Sequence, residues 1–199
     1  MMELRACFEY MASQWTDDTL LVTSAGHSSG TWWDVTKDTD RVFYLTASMS
    51  LSSMFASGIA IGFPDRPVWA FSGDGAFVMN PGMLFVEHRL NLPNLKHFLI
   101  SNRCYGSTEE VDIPFARDAD YAAIARGAGI ERVYRFDNLD SLKQQFGEVV
   151  NTPGHTFTVL DVERLSKEVR TPSFDGPELK FRFGRSIERL TGRKIFTAP

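Results

Sequence analysis

The stretch WAFSGDGAFVMN, residues 69–80, decides the fold because an aspartate stands between two glycines just where an apolar run ends. An isolated Asp-Gly pair most often marks a tight turn. Here the next residues, NPGMLFVEHRL, have helical spacing, whereas a two-residue hairpin needs a second strand. A strand, an acid between glycines and a helix start would instead offer backbone N–H groups to an anion, with the Asp74 carboxylate beside them.

Strand and helix patterns alternate on both sides of this stretch. Short buried strands are predicted at 19–26, 41–46, 67–73, 94–102, 132–136 and 156–162, and helices at 2–14, 50–63, 81–92, 118–130 and 139–151. Strands separated by helices indicate right-handed βαβ units. The sequence therefore predicts an α/β fold, a doubly wound and mostly parallel sheet with helices on both faces.

Composition limits the class of protein. The chain has 199 residues, of which 43% are hydrophobic, enough for one well-packed domain. A net charge of −4 gives no reason to expect nucleic acid as a partner. The start of the chain does not resemble a signal peptide, and no stretch is apolar enough for a membrane span. Cys7 and Cys104 form no CxxC pattern, which fits a reducing, cytoplasmic setting.

The last part of the chain differs from the rest. We expect one domain over residues 1–163 and an extension over 164–199, which shows little apolar periodicity and an excess of Lys and Arg. The extension is either a solvated tail wrapped on its own domain or an arm that grips a partner subunit. The aromatic anchors of such an arm would be Phe174, Phe181, Phe183 and Phe196.

Residues that directly follow the strands are the candidates for a site, because parallel sheets bind ligands beyond the carboxyl ends of their strands. A bare Asp74 would repel a phosphate, but it can share a magnesium ion with one. The next strand end supplies further oxygen ligands in the Asn102 side chain and the Cys104 carbonyl. Gly106 then allows the chain to turn tightly past the site.

Taken together, GDGAFVMNPGML and FLISNRCYGST resemble the diphosphate-binding motif of thiamine diphosphate enzymes, in which Asn-Asn follows Gly-Asp-Gly after somewhat under thirty residues. The layout over about residues 1–163 is similar to the small subunits of sulfopyruvate and phosphonopyruvate decarboxylases. Ser101 departs from the motif by replacing the first Asn. The resemblance implies that Asp74, Asn102 and the Cys104 carbonyl hold Mg²⁺. It places the cofactor against Ala47, Ser48, Met49, Gly73, Asp74, Gly75, Ala76, Asn102, Cys104, Tyr105 and Gly106.

An earlier loop, TASMSLSS, is similar to the family segment Gly-Ser-Met-Gly. The resemblance implies that Met49 wedges under the cofactor and bends it into a V, with the Ala47 carbonyl accepting a hydrogen bond from the 4′-amino group. Taken alone, Met49 would be read as an ordinary core methionine. Ala47 and Ser50 depart from the family segment by standing where it has glycines.

In the family, cofactor activation needs a glutamate on a separate pyrimidine-binding domain, for which this chain has no room. The resemblance therefore implies a partner subunit that contributes this glutamate, in an α2β2 or larger hetero-oligomer. We expect the chain alone to bind the cofactor weakly and to turn nothing over. The predicted helix at 50–63 is apolar nearly all round, which suits packing against such a partner.

Two residues are candidates for proton transfer. His27 lies where a helix would begin, and it either transfers protons near neutral pH or merely caps and packs. Related decarboxylases carry an essential glutamate at about this distance beyond the motif, so the resemblance implies that Glu109 returns a proton after carbon dioxide leaves, with Glu110 as the second candidate. Two acids at a helix start would also be explained by the helix dipole. Where related decarboxylases show Ser-Arg, with an arginine suited to a dianion, this chain has HSSGTWW with Trp32 and Trp33. This difference argues against a sulfonate or phosphonate substrate and leaves an aromatic or apolar 2-oxoacid open.

The predicted function is thus one subunit of a two-component 2-oxoacid decarboxylase, with carboligation as a second outcome. The alternatives are the beta subunit of a thiamine diphosphate-dependent 2-oxoacid oxidoreductase and a non-catalytic assembly protein.

Overall fold

The computed structural model describes residues 1–108, 110–116, 118–165, 169–170, 172 and 175–196. Its strands are β1 (Leu20–Thr23), β2 (Val42–Tyr44), β3 (Val68–Gly73), β4 (Leu95–Ser101), β5 (Cys104–Tyr105), β6 (Val111–Asp112), β7 (Val133–Phe136) and β8 (Thr156–Asp161). Its helices are α1 (Leu4–Ser13), α2 (His27–Thr36), α3 (Ser52–Gly62), α4 (Asp74–Phe77), α5 (Met83–Leu90), α6 (Tyr121–Gly127), α7 (Leu139–Asn151) and α8 (Gly176–Thr191).

Six parallel strands form the main sheet in the order β2-β1-β3-β4-β8-β7, while β5 and β6 form a small antiparallel hairpin. The chain runs outward from β1 to β2 and then returns to β3 on the other side of β1. Because of this reversal, the loops that follow β1 and β3 leave the sheet in opposite directions, and a crevice forms between them. Open α/β sheets bind ligands at such a crevice. The fold therefore places Asp74, directly after β3, at the edge of that crevice.

Side chains alternate between the two faces of the sheet, as in strands covered by helices on both sides. In β3, Trp69 and Phe71 join the cluster covered by α1, α2 and α7, whereas Val68 and Ala70 join the cluster on the face of α3. Helices α5 and α6 cover a third cluster on that second face, around Phe157 and Val159. The predicted doubly wound α/β fold is confirmed, with helices on both faces.

Helix α8 corrects one expectation. The extension was expected to lack apolar periodicity, which is wrong for residues 176–191, a helix of 16 residues. Leu179, Phe183 and Ile187 recur every four residues and are buried. The Phe183 ring lies 5.5 Å from that of Phe43, so α8 packs beside β2 on its own domain. Its many charged residues on the other face hid this stripe in the sequence.

The four proposed aromatic anchors therefore differ in position. Phe183 is buried in the core of its own domain, whereas Phe181 is 51% exposed and its ring lies 5.0 Å from that of Phe196. Phe174 lies outside the described residues. Of the three described anchors, Phe181 and Phe196 leave aromatic surface that is accessible to a partner subunit.

Cys7 and Cys104 are buried free thiols, and burial raises the pKa of Cys7 to about 12. No described helix has both the length and the apolar character that crossing a membrane requires.

Candidate cofactor site

Asp74 is the first residue of α4, and its side chain is buried, with 1% of its surface exposed. One carboxylate oxygen accepts the N–H of Gly75 at 2.9 Å. The other accepts the Ser101 hydroxyl at 3.1 Å and the backbone N–H of Arg103 at 2.7 Å. A carboxylate has about four lone-pair positions, of which three are occupied here. One position is left for a cation.

Burial raises the pKa of Asp74 to about 6, although the hydrogen bonds from Arg103, Ser101 and Gly75 and the Arg103 charge oppose the shift. A carboxylate held this way in the fold is costly to ionise. A divalent cation placed against it would lower that cost, so the electrostatics of Asp74 suit a metal ligand rather than a turn residue.

Asn102 follows β4, the strand beside β3, and it lines the same cleft as Asp74. Its side-chain oxygen accepts the backbone N–H of Cys104 at 3.2 Å and retains one lone pair. Among the described residues, no group of three or more His, Cys, Asp or Glu side chains is placed to hold a metal ion. One carboxylate, one amide and one carbonyl fit Mg²⁺, which takes few protein ligands and keeps substrate phosphate oxygens.

Two glycines in the cleft permit contacts that any larger residue would block. A Cβ on Gly75 would lie 2.6 Å from the Tyr105 ring, and one on Gly106 would lie 2.6 Å from His27 Nδ1. The Gly106 position would also meet the Asn102 amide nitrogen at 3.0 Å. Glycine thus brings Tyr105 against the Asp74 turn and His27 against the loop of Asn102.

His27 begins α2 and is half-buried at the rim of the cleft. Its Nδ1 is buried and has no hydrogen-bond partner among the described residues. Burial lowers the pKa of His27, with a smaller opposing effect from the charge of Glu110. The imidazole is therefore mostly neutral at pH 7, and a buried nitrogen remains available for a ligand.

Met49 is 44% exposed and lines the cleft, so the reading as a core methionine is wrong. Ser48 and Ser50 flank it with φ angles of 61° and 74°, in the left-handed region that glycine prefers. Ser50 thus adopts a glycine-like conformation at the position where the family motif has glycine. Ala47 and Ser48 are exposed in the same loop and do not line the cleft.

The other residues singled out from sequence lie apart from the cleft or outside the described residues. Glu109 is not described. Glu110 is half-buried with a φ of 55°. Trp32 is fully buried in the core against Phe8 and Phe71, and Trp33 packs on Tyr44, so neither tryptophan lines the cleft. Neither tryptophan therefore supports an aromatic substrate.

The structure adds Ser101 and Arg103 to the site, which sequence reasoning had not given any role. Both bind the Asp74 carboxylate, and Ser101 does so from the place of the first Asn in the family motif. The guanidinium of Arg103 is fixed by the carbonyls of Ala116 and Ala119 and by Asp161. A cationic residue inside the motif was the signal that could have drawn attention to Arg103.

The cleft itself is shallow and open. Its cavity volume is about 70 Å³, far below the roughly 300–1,000 Å³ of typical ligand pockets. A cofactor held at Asp74 and Met49 would leave much of its surface uncovered by this chain. This is the geometry of one wall of a site.

Comparison with known proteins identifies the family. Residues 25–162, more than half of the chain, match the model described as "Thiamine pyrophosphate enzyme, C-terminal TPP binding domain". The chain belongs to the thiamine pyrophosphate enzyme family. Thiamine pyrophosphate is the cofactor called thiamine diphosphate above, and the match includes Met49, Asp74 and Asn102. The recognition made from the motif is confirmed.

Two relatives in this family are named "Sulfopyruvate decarboxylase subunit beta". The protein from Methanothermobacter thermautotrophicus is 27% identical over 175 residues, covering 88% of this chain and 90% of the relative. The one from Methanocaldococcus jannaschii is 26% identical over 153 residues, covering 77% of this chain and 80% of the relative. The similarity thus extends over nearly the whole of these proteins.

Among solved structures, benzoylformate decarboxylase from Polynucleobacter necessarius superposes with a TM-score of 0.71 at 18% identity. The match covers 85% of this chain and 34% of that one. The chain therefore spans about a third of that longer protein, and at this identity the likeness shows the fold alone.

Proposed function

We propose that this chain is the diphosphate-binding subunit of a two-component, thiamine diphosphate-dependent 2-oxoacid decarboxylase. The observation that carries the proposal is the buried Asp74 carboxylate, which has one acceptor position left and faces a cleft shared with Asn102. Support also comes from relatives named as beta subunits of sulfopyruvate decarboxylase.

In this proposal, Asp74, Asn102 and the Cys104 carbonyl hold Mg²⁺ against the diphosphate, and the N–H groups of Gly75 and Ala76 bind its oxygens. Met49 supports the cofactor from below. Bound thiamine diphosphate would supply a nucleophilic carbon and an electron sink for the decarboxylation of a 2-oxoacid.

His27 is the proton-transfer group of this chain, because its neutral ring lies at the cleft with a buried Nδ1 that forms no hydrogen bond to any described residue. Glu109 remains the second candidate for returning a proton to the product. Carboligation, in which the bound product joins a second carbonyl compound, would use the same residues.

A partner subunit with the activating glutamate supplies the other wall. Support comes from the small cavity and from an apolar surface on the neighbouring helices α3 and α5. Residues 42–64 contain no charged side chain, and Met49 in this region lines the cleft. We define the α3–α5 surface by the exposed apolar residues of α3, α5 and the adjoining loops: Met49, Leu51, Phe55, Ile61, Met79, Phe85, Val86 and Leu90. Exposed apolar side chains concentrated on two contacting helices favour a protein–protein interface.

The test is reconstitution. The chain is purified alone and, separately, as a complex with the partner protein that co-purifies with it. Carbon dioxide release from a panel of 2-oxoacids is then measured for both samples in the presence of thiamine diphosphate and Mg²⁺. The proposal expects activity only from the pair and no requirement for an electron acceptor. Full turnover by the isolated chain, or turnover only with an added oxidant, would contradict it.

A further inference from the structure

A buried carboxylate that the proposed site does not use lies in α5. Glu87 is 1% exposed, and its Oε2 is 3.0 Å from His97 Nδ1 and 3.0 Å from His155 Nε2. Burial alone would raise the pKa of Glu87, but the charges and hydrogen bonds of the two histidines hold it below its ordinary value. Burying a charge is costly, so its position calls for a physical reason.

From His97 the hydrogen bonds continue toward the cofactor segments. His97 Nε2 is 2.9 Å from the Ser72 hydroxyl, which is 2.7 Å from the hydroxyl of Ser52. Ser72 lies two residues before Asp74 in β3, and Ser52 begins α3 three residues after Met49. One end of this network therefore contacts both segments that are proposed to hold the cofactor.

A Ser–His–acid arrangement also suggests a hydrolytic triad. That reading fails because Ser72 and His97 are both 0% exposed and neither lines the cleft. A substrate cannot reach the Ser72 hydroxyl, so the network acts through the positions of the residues that it connects.

We propose that Glu87 and His97 are positioning residues, which fix the distance between the Asp74 turn and the Met49 loop through Ser72 and Ser52. This inference rests on the proposed function. A cofactor that binds at both segments in one conformation requires a fixed separation between them, and small displacements at a site are expensive. Charge-assisted hydrogen bonds in a dry core provide such rigidity.

The second arm of the network offers a matched control. His155 contacts the same carboxylate oxygen, but its other ring nitrogen lies 3.2 Å from the carbonyl of Leu95. Leu95 begins β4, at the end of the sheet opposite Asn102. His155→Asn thus removes a partner of the same buried charge without touching Ser72 or Ser52.

The experiment measures the dissociation constant of thiamine diphosphate at saturating Mg²⁺, by calorimetry on each variant of the chain in complex with its co-purified partner, together with the melting temperature of the same complex. Ser72→Ala breaks the link directly. His97→Asn keeps a polar group where Nδ1 meets Glu87 but cannot reach Ser72. Both should weaken cofactor binding about tenfold or more, consistent with the cost of a misplaced group. The dissociation constant of His155→Asn should stay within about twofold of that of the unaltered chain, even where this substitution lowers the melting temperature as much as His97→Asn does.

A conservative replacement distinguishes a positioning role from a purely structural one. Ser72→Thr keeps the hydroxyl, so it should bind the cofactor more tightly than Ser72→Ala does. If the Ser72 variants fail to fold, Ser52→Thr and Ser52→Ala give the same comparison. The inference would be overturned if His97→Asn and His155→Asn lost equal cofactor affinity, in proportion to their loss of melting temperature. Unchanged cofactor binding in Ser72→Ala would also overturn it. If the unaltered chain shows no magnesium-dependent binding, both the proposed function and this inference fail.

Discussion

The backbone N–H of Arg103 donates a 2.7 Å hydrogen bond to the Asp74 carboxylate and thereby joins the ends of β3 and β4. Arg103 has a φ of 64°, in the left-handed region, and its guanidinium is anchored to the Ala116 and Ala119 carbonyls and to Asp161. The orientation of Asp74 is thus set by a fixed backbone group. Such preorganisation is what a metal ligand needs.

The first prediction concerns the stability of the cofactor-free chain. The pKa of Asp74 in the fold is about 6, above its ordinary value of 3.8, so the fold favours the protonated form. The stability that the protonated Asp74 contributes to the fold is fully present below pH 3.8 and is lost as pH rises through 6. At pH 8, the free energy of unfolding of Asp74→Asn should therefore equal that of the unaltered chain or exceed it by up to about 3 kcal/mol.

Urea denaturation at pH 4.5 and pH 8 measures this difference. The advantage of Asp74→Asn should be larger at pH 8. Asp65→Asn, which removes an exposed acid, is the control and should show little pH-dependent effect. A loss of more than about 1 kcal/mol in Asp74→Asn at pH 8 would show that hydrogen bonding outweighs the burial of charge at this position.

The second prediction compares two neighbouring glycines. A Cβ on Gly75 would lie 2.6 Å from the Tyr105 ring, whereas one on Gly73 would meet nothing closer than 3.9 Å. Gly75→Ala should lower the free energy of unfolding by about 1–3 kcal/mol and weaken cofactor binding. Gly73→Ala should change stability by less than about 1 kcal/mol. Thermal denaturation checks both, and equal effects of the two substitutions would refute the close approach of Tyr105.

The third prediction concerns proton transfer by His27 in the assembled enzyme. His27→Gln should lower kcat by about 10²-fold or more while the affinity for the cofactor stays the same. Because burial lowers the pKa of His27, the activity that depends on its neutral form should persist below pH 6.5. Ser28→Ala, at a neighbouring residue of the cleft, is the control. An unchanged kcat in His27→Gln would move the role to Glu109 or to the partner.

The fourth prediction tests the α3–α5 surface. Phe85 is 64% exposed and Ile61 is 56% exposed, so a charge at either position should not disturb the core of the chain. Phe85→Glu or Ile61→Glu should weaken association with the partner by at least tenfold, measured by light scattering of the co-purified complex. Ile124→Glu places the same charge on α6, at a side chain 42% exposed, and should leave the complex intact. Equal behaviour of all three would place the interface elsewhere.

Much of the fold could be predicted from the sequence because local patterns agree with the tertiary structure. Short apolar runs located the six parallel strands, and the 3.6-residue spacing of apolar residues located helices such as α7, which spans the predicted residues 139–151. Helix α8 was missed because charged residues outnumber its apolar stripe. The β5–β6 hairpin was missed because each of its strands has only two residues.

The candidate site was predictable where residue type and strand ends coincide, as at Asp74 and Asn102. It was not predictable where packing decides the outcome. Trp32 lies in the core rather than in the cleft, and the Glu87–His97–Ser72 network joins three elements that no local pattern connects. Such contacts depend on how α5 and two strands come together in the sheet.

The measurement that tests the central claim most directly is a calorimetric titration of the chain, with its co-purified partner, by thiamine diphosphate. It is made with Mg²⁺, with a chelator, and with Asp74→Asn in place of the unaltered chain. We predict binding with Mg²⁺, its loss with the chelator, and its loss in a folded Asp74→Asn variant. Binding that persists in that variant or without a divalent cation would contradict the role of Asp74 as the ligand that holds the diphosphate through a metal.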